Sequence, residues 1–598
     1  MADNDDKPNK ISWRTRVRNW FTKSFLALRV LIGNARRMAR RKKIGYIIIE
    51  LSASSLRDES RPIWDQLLPR WLRNRTRRAR LYELRETLQL IAADPRPQGI
   101  IIDASALAVG PTTALALYNL LTEFKQSGKR VIVYSEDFYL TDYLAIAPAD
   151  EIIMPPTGSW LVSGIRSEII FWKDALAAWD VSLELVTVGP RKGGEIPFSH
   201  ADMLPEVREQ AEGLLDTQFT TILNLLAQAR HLTPDALRTA IDDIPHTAQR
   251  ACELGLITHV CYLDEIAHLL ATDDKPAQLE RLRKVRDDLK QPIRWPTDQQ
   301  IAILNVTGPL LPGRGYNSRP LPLPLPISDD DGLGADTFAQ AIREIESDPS
   351  ISALIMVINS PGGSTLASDL MYREILRLRK HKPVVALLSD VAASGGYYLA
   401  CAADYIIASP LTVTGSIGVY SQKLVLNNFI RRLRGNPVIL RRGARAGMFT
   451  DNEPLTDDTR TALLRSIHDS YDRFKQIVAE GRKLDPASVD DLAGGRVYLA
   501  PRALKLGLID ELGDFQTAFD KAHQLANLPK DRFTPPIWWE TNDSGEVKLP
   551  RPYPKDPTPD TPSVAPAPAA TLAHLAHWLE HAGRVEILSR LPFDIKYD

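Results

Sequence analysis

Residues 99–110 read GIIIDASALAVG and residues 353–364 read ALIMVINSPGGS; at that offset of 254 the chain aligns on itself without a gap, 99–150 over 353–404. Both stretches open on an apolar run of strand length and run into a glycine-containing turn, the pattern of a buried strand that bends sharply at its end. Ser135, Tyr143 and Asp150 fall on Ser389, Tyr397 and Asp404. Further along the offset is 252, where Arg230-His231-Leu232-Thr233-Pro234 matches Arg482-Lys483-Leu484-Asp485-Pro486 and Leu254-Gly255-Leu256-Ile257 matches Leu506-Gly507-Leu508-Ile509. Self-similarity of this kind marks one structural unit used twice.

Working outward, each copy alternates strand and helix. Gly45–Leu51 and Ala302–Val306 read as first strands, and Gly99–Asp103 and Ala353–Asn359 as second strands. Helices follow over 112–127 and 366–380, then strands over 130–134 and 383–388. This order predicts an α/β fold with crossover-connected, largely parallel sheets in each copy. A chain of 598 residues exceeds what one core holds. The expected organisation is a basic segment (1–43), an N-terminal repeat (44–271), a charged helical linker (272–299), a C-terminal repeat (300–530) and a tail (531–598). Residues 311–334, rich in Pro, Gly and Asp, read as a long loop. The eight prolines of 549–569 predict an extended tether, with a short apolar-faced helix near 571–590 after it.

Bulk charge excludes one class of partner. The 74 Lys and Arg balance 74 Asp and Glu, so no whole-molecule field draws nucleic acid. Cys252, Cys261 and Cys401 form neither a disulfide framework nor a metal pair, and nothing in the sequence requires a metal or cofactor. Residues 11–43 carry eleven Lys/Arg and no acid, interleaved with Trp13, Trp20, Phe21, Phe25 and aliphatic residues. Their apolar runs fall short of the about 20 residues a spanning helix needs and lack a secretory core with its cleavage site. They read as a basic amphipathic segment lying on anionic lipid, which predicts peripheral membrane association, on the cytoplasmic face.

The copies diverge at their turns. Copy two has Asn359-Ser360-Pro361-Gly362-Gly363-Ser364 where copy one, over Asp103–Gly110, has lost the paired glycines. Copy two also has Ala392-Ala393-Ser394-Gly395-Gly396-Tyr397 between a strand and a helix, with Leu140 at the position of Ser394 in copy one. Either motif alone reads equally well as a glycine-rich turn. Together, in one copy only, they point to an acyl-transfer site, because a serine at a helix N-terminus beside glycine amides suits developing negative charge. Such a serine needs a base, and no histidine lies between His381 and His468.

Through NSPGGS (359–364), ASGGYYLA (393–400) and LTVTGSIGV (411–419), the chain resembles the long tandem-repeat form of the signal peptide peptidase A (protease IV) family, of Clp/crotonase-like fold. The resemblance covers about 45–530. It implies a serine endopeptidase with a Ser/Lys dyad, Ser394 as nucleophile and Lys192 of copy one as general base. Lys192 lies in Gly189-Pro190-Arg191-Lys192-Gly193-Gly194-Glu195-Ile196-Pro197-Phe198, which matches a G-x-Y-K-S-x-x-E-P-F pattern with Arg191 in place of Tyr and Gly193 in place of Ser. The resemblance further implies that Ser416 orients the lysine, that Gly362, Gly363 and Gly395 form the oxyanion hole, that the substrates are remnant signal peptides and other apolar or membrane-derived peptides, and that the chain assembles as a homotetramer. For a lysine to act as base its pKa, ordinarily about 10.4, must fall. Burial does this, and Arg191 would push the same way unless neutralised by Glu195. Two other readings compete: an inactive scaffold of the same fold that binds peptides or membranes, and a crotonase-like acyl-CoA enzyme, against which the combination of Ser394, Ser416 and Lys192 argues.

Overall fold

The computed structural model describes residues 28, 30–37, 44–52, 81–194, 196–272, 275–292, 297, 299–316, 332–529, 534, 536–541, 547–548, 587–589 and 596–597. Copy one contributes β1 (Tyr46–Ser52), β2 (Gly99–Ala106), α1 (Pro111–Lys125), β3 (Arg130–Tyr134), α2 (Leu140–Ile146), β4 (Glu151–Met154), β5 (Ser182–Val188), α3 (Pro205–Arg230), β6 (His259–Val260) and β7 (Leu279–Arg281). Its sheet runs β6-β4-β3-β2-β1-β7, with every pairing parallel. Parallel sheets are covered on both faces, and their strands read as continuous apolar runs. Thus Ile100 and Ile102 of β2 join one core while Ile101 between them joins another on the opposite face.

Copy two contributes β8 (Gln300–Thr307), β9 (Ile351–Ser360), β10 (Gly363–Ser364), α4 (Thr365–Arg379), β11 (Val384–Ala393), α5 (Gly395–Ala400), β12 (Tyr405–Ala408), β13 (Val413–Gly415), β14 (Val419–Val425), α6 (Asp457–Arg482), β15 (Val497–Leu499), β16 (Glu511–Leu512) and β17 (Pro536–Thr541). Its sheet runs β15-β13-β11-β9-β8-β17, and β12 branches off β11 and carries β16. All of these pairings are parallel except β13 with β15, and Val547–Lys548 extends the sheet antiparallel to β17.

The repeat seen in the sequence is a repeat of interactions. Tyr143 Oη donates to the Leu256 carbonyl at 2.6 Å and Tyr397 Oη to the Leu508 carbonyl at 2.7 Å. Asp150 accepts from Val131 N–H and Asp404 from Val384 N–H, both at 2.8 Å. The long helices α3 and α6 end on left-handed residues, His231 (φ 55°) and Lys483 (φ 54°). The copies are joined by an antiparallel ribbon in which β5 pairs β14 from Val188↔Val419 to Ser182↔Val425.

Two expectations change. The stretch 272–299 is not a helical linker throughout: Leu279–Arg281 is a strand beside β1, followed by a short helix, Leu282–Val285. Its pairing is supplied by the distant β1, so the local charge pattern carried no sign of it. The C-terminal segment near 571–590, expected to be helical, contains the strand β18 (Ile587–Ser589), which lies between β10 and β14. Its other residues, like the proline-rich 549–569 and residues 317–331 of the loop, lie outside the described residues. Of the basic segment 11–43, only residues 28 and 30–37 are described, as helix. There Asn34 exchanges hydrogen bonds with the Gln291 backbone at 2.8 and 2.9 Å, and Arg37 Nε donates to the Asp287 carbonyl at 3.0 Å. Among the described residues no helix is long and apolar enough to cross a membrane.

Because Tyr143 and Tyr397 make equivalent buried bonds, Tyr143→Phe and Tyr397→Phe should each destabilise the chain by about 1–3 kcal/mol through an unsatisfied carbonyl. Urea unfolding followed by fluorescence checks this, with comparable shifts expected for the two variants.

Candidate active site

Strand β11 delivers Ser394 at the head of α5 with φ 53° and ψ −115°, a backbone state that residues with a Cβ seldom adopt. The surroundings hold it there. Ser394 N–H donates to the Gly415 carbonyl at 2.7 Å, and its own carbonyl accepts from Tyr398 N–H at 2.8 Å. The small residues seen in the sequence are required by space: a Cβ on Gly395 would lie 2.6 Å from Ser368 Oγ and 3.1 Å from Gly362 Cα.

Lys192 arrives from copy one on the turn that follows β5. Its Nζ lies 2.6 Å from Ser394 Oγ, 3.0 Å from Ser416 Oγ and 2.9 Å from the Ser416 carbonyl oxygen. Lys192 is 2 % exposed, and Ser394 and Ser416 are 0 % exposed. Burial pushes the amine well below the usual lysine range. The three contacts suit a neutral amine. The Ser416 carbonyl can only accept, so one N–H donates there and the second to Ser416 Oγ, which leaves the lone pair for the Ser394 hydroxyl proton. Arg191 plays no part in the shift, since its guanidinium turns to Glu209 at 3.7 Å; Glu195 lies outside the described residues.

The other expected residues divide. Ser416 (φ 54°) is held by its N–H donating to the Arg496 carbonyl at 2.6 Å. Gly362 and Gly363 have φ of 106° and 159° and sit against Gly395. The Gly362 N–H donates to Ser360 Oγ at 3.2 Å, a bond within the turn itself. Sequence reasoning missed the floor under the lysine. A Cβ on Gly495 would lie 2.4 Å from Lys192 N, and one on Gly189 2.6 Å from the Gly494 carbonyl carbon. The paired glycines at 494–495, both at positive φ, were the available signal. Among the described residues no group of three or more His, Cys, Asp or Glu gathers to hold a metal ion.

Copy one has closed its own version of the site. Leu140 stands where Ser394 stands, and two residues on the Asp142 carboxylate accepts from the N–H of Val109, the counterpart of Gly363. One Asp142 oxygen is buried without a hydrogen-bond partner, and burial pushes the carboxyl up to about 6.

Comparison with known proteins places these features. The model of peptidase family S49 matches the chain twice, over residues 123–276 and 377–529. Protease 4 of Haemophilus influenzae is 29% identical over 486 residues, covering 76% of this chain and 75% of its own. A chloroplastic serine protease SPPA of Arabidopsis thaliana is 29% identical over 468 residues (76% and 66%). Protease 4 of Salmonella typhi is 27% identical over 472 residues (75% and 72%).

Two substitutions test the electrostatics. Burial disfavours the charged form of Lys192, which favours the unfolded chain at neutral pH; Lys192→Met should therefore raise the melting temperature at pH 7, measured by calorimetry. Asp142 has a raised folded pKa. Stability is lost as pH rises from about 4, where the unfolded carboxyl ionises, to about 6, where the folded one does, and the deficit persists above that. Asp142→Asn should raise the melting temperature at pH 8 and change it little at pH 4.

Proposed function

Because the chain belongs to peptidase family S49, we propose that it is a serine endopeptidase that cuts peptides with a Ser/Lys dyad, Ser394 as nucleophile and Lys192 as general base. The observation that carries this reading is the 2.6 Å approach of Lys192 Nζ to Ser394 Oγ inside a buried pocket. Ser394 Oγ attacks the scissile carbonyl while neutral Lys192 takes its proton. The oxyanion is received by backbone N–H groups of the glycine turns around Gly362, Gly363 and Gly395. Lys192, held by Ser416, then protonates the leaving amine. Water, deprotonated by the same lysine, hydrolyses the acyl-enzyme.

The substrate class is remnant signal peptides and other apolar or membrane-derived peptides, in keeping with the resemblance at the site motifs. Membrane contact through residues 11–43 and a homotetrameric assembly belong to the same proposal.

Hydrolysis of an apolar peptide by the full chain tests it, with Ser394→Ala and Lys192→Ala alongside. Both variants should lose at least about 10²- to 10⁴-fold in kcat, the usual worth of acid–base catalysis; Ser416→Ala should lose less. Activity should appear as pH rises, because only the neutral amine is a base, with a midpoint well below the about 10.4 of free lysine. A folded parent inactive on several peptides would instead support the binding scaffold.

A further inference from the structure

The turn of copy one that lost its paired glycines sits against copy two, just before the nucleophile. Thr112 donates to Asp390 Oδ1 twice, from its backbone N–H at 3.0 Å and from its hydroxyl at 2.7 Å, and Thr112 Oγ1 lies 3.4 Å from Ser389 Oγ. A Cβ on Gly110 would lie 2.7 Å from Asp390 Oδ2, so the glycine admits the carboxylate. Helix α1 has no side-chain cap from its own N-cap residue, Gly110. Asp390 fills that role from the other copy, with the carboxylate at the positive end of the helix.

Asp390 occupies a break in β11. The register with β9 shifts between Ile358↔Leu388 and Ser360↔Ala392, and beyond it β11 takes β13 as a partner, from Val391↔Val413. Residues 389–391 thus bulge out of the β9 ladder, four residues before the strained Ser394. The bulge is fixed by side chains: Val391 N–H donates to Asn359 Oδ1 at 3.2 Å, and Asp390 is clamped by Thr112. The counterpart of Asp390 in copy one is Glu136, and that of Thr112 in copy two is Leu366; the clamp is therefore made once, in one direction.

We infer that Asp390 and Thr112 are positioning residues for the reaction: they lock the bulge of β11 to copy one, so that Ser394 and Lys192, carried by different copies, meet in register. The β5–β14 ribbon sets the inter-copy spacing on the Lys192 and Ser416 side, and the Asp390–Thr112 clamp sets it on the Ser394 side. This inference rests on the peptidase reading.

The test is steady-state peptide hydrolysis by the full chain, together with the rate at which a fluorophosphonate labels Ser394, for Asp390→Ala, Asp390→Asn, Thr112→Val and Asp390→Ala/Thr112→Val. Displacement of a reacting group by about 1 Å can cost about 10²-fold. Asp390→Ala should therefore lower kcat and the labelling rate about 10- to 100-fold per folded molecule, the folded fraction being measured by circular dichroism, with KM changed less than about 2-fold; a general loss of stability would leave the rate per folded molecule unchanged. Asp390→Asn keeps the acceptor oxygen and should restore most of the rate, and the double variant should be no slower than Asp390→Ala. If Asp390→Ala does not fold, Thr112→Val and Asp390→Asn give the same comparison, with loss expected in the first and retention in the second. An active parent whose Asp390→Ala variant keeps its kcat, or whose two substitutions combine multiplicatively, overturns the positioning role alone. A parent that neither hydrolyses peptide nor labels overturns the peptidase reading and the positioning role with it.

Discussion

A buried lysine amine governs this molecule. Among the described residues, the Lys192 amine is set by two serines, a carbonyl and glycine backbone. Water reaching it would return the proton and the charge. The close fit of the Gly189–Lys192 turn to Gly494 and Gly495, where a Cβ on Gly189 or on Gly495 would strike backbone, therefore keeps water from the amine. Everything that presses the two copies together acts on that condition: the β5–β14 ribbon, the Arg191 N–H donating to the Gly494 carbonyl, and the clamp at Asp390.

The second constraint is strain. Ser394 and Ser416 are both non-glycine residues at positive φ, and each donates its N–H to a neighbouring strand or loop, Ser394 to Gly415 and Ser416 to Arg496. Because Gly415 adjoins Ser416, the two strained serines are coupled through a single peptide step. The left-handed turns place both hydroxyls on the lysine, at 2.6 and 3.0 Å. Regular strand or helix at either position would direct the hydroxyl elsewhere.

Much of this was legible in the sequence because it was written twice. The offset between copies gave the α/β organisation, and the loss of glycine at Val109 and of serine at Leu140 showed which copy to read for chemistry. What the sequence concealed was long-range. The partner of Leu279–Arg281 is β1, more than 200 residues away, and no local period announces it. The bond from the Gly362 amide to Ser360 Oγ was hidden too, since only the folded turn aims that hydroxyl back at it. Arg191 beside Lys192 suggested charge repulsion, but adjacent residues on a tight turn point apart, and its guanidinium finds Glu209. The bond between Thr112 and Asp390 joins two positions that neither repeat offset aligns.

The lysine turn is walled by glycines that follow it by some 300 residues in the chain, at 494 and 495. During synthesis Lys192 emerges first, then Ser394, and the floor that dries the pocket comes last. Until ribosomal elongation has passed Gly495 and the second long helix has docked, the amine remains wet and protonated. The order of residues along the polypeptide thus places the last wall of the pocket after both of the groups it encloses.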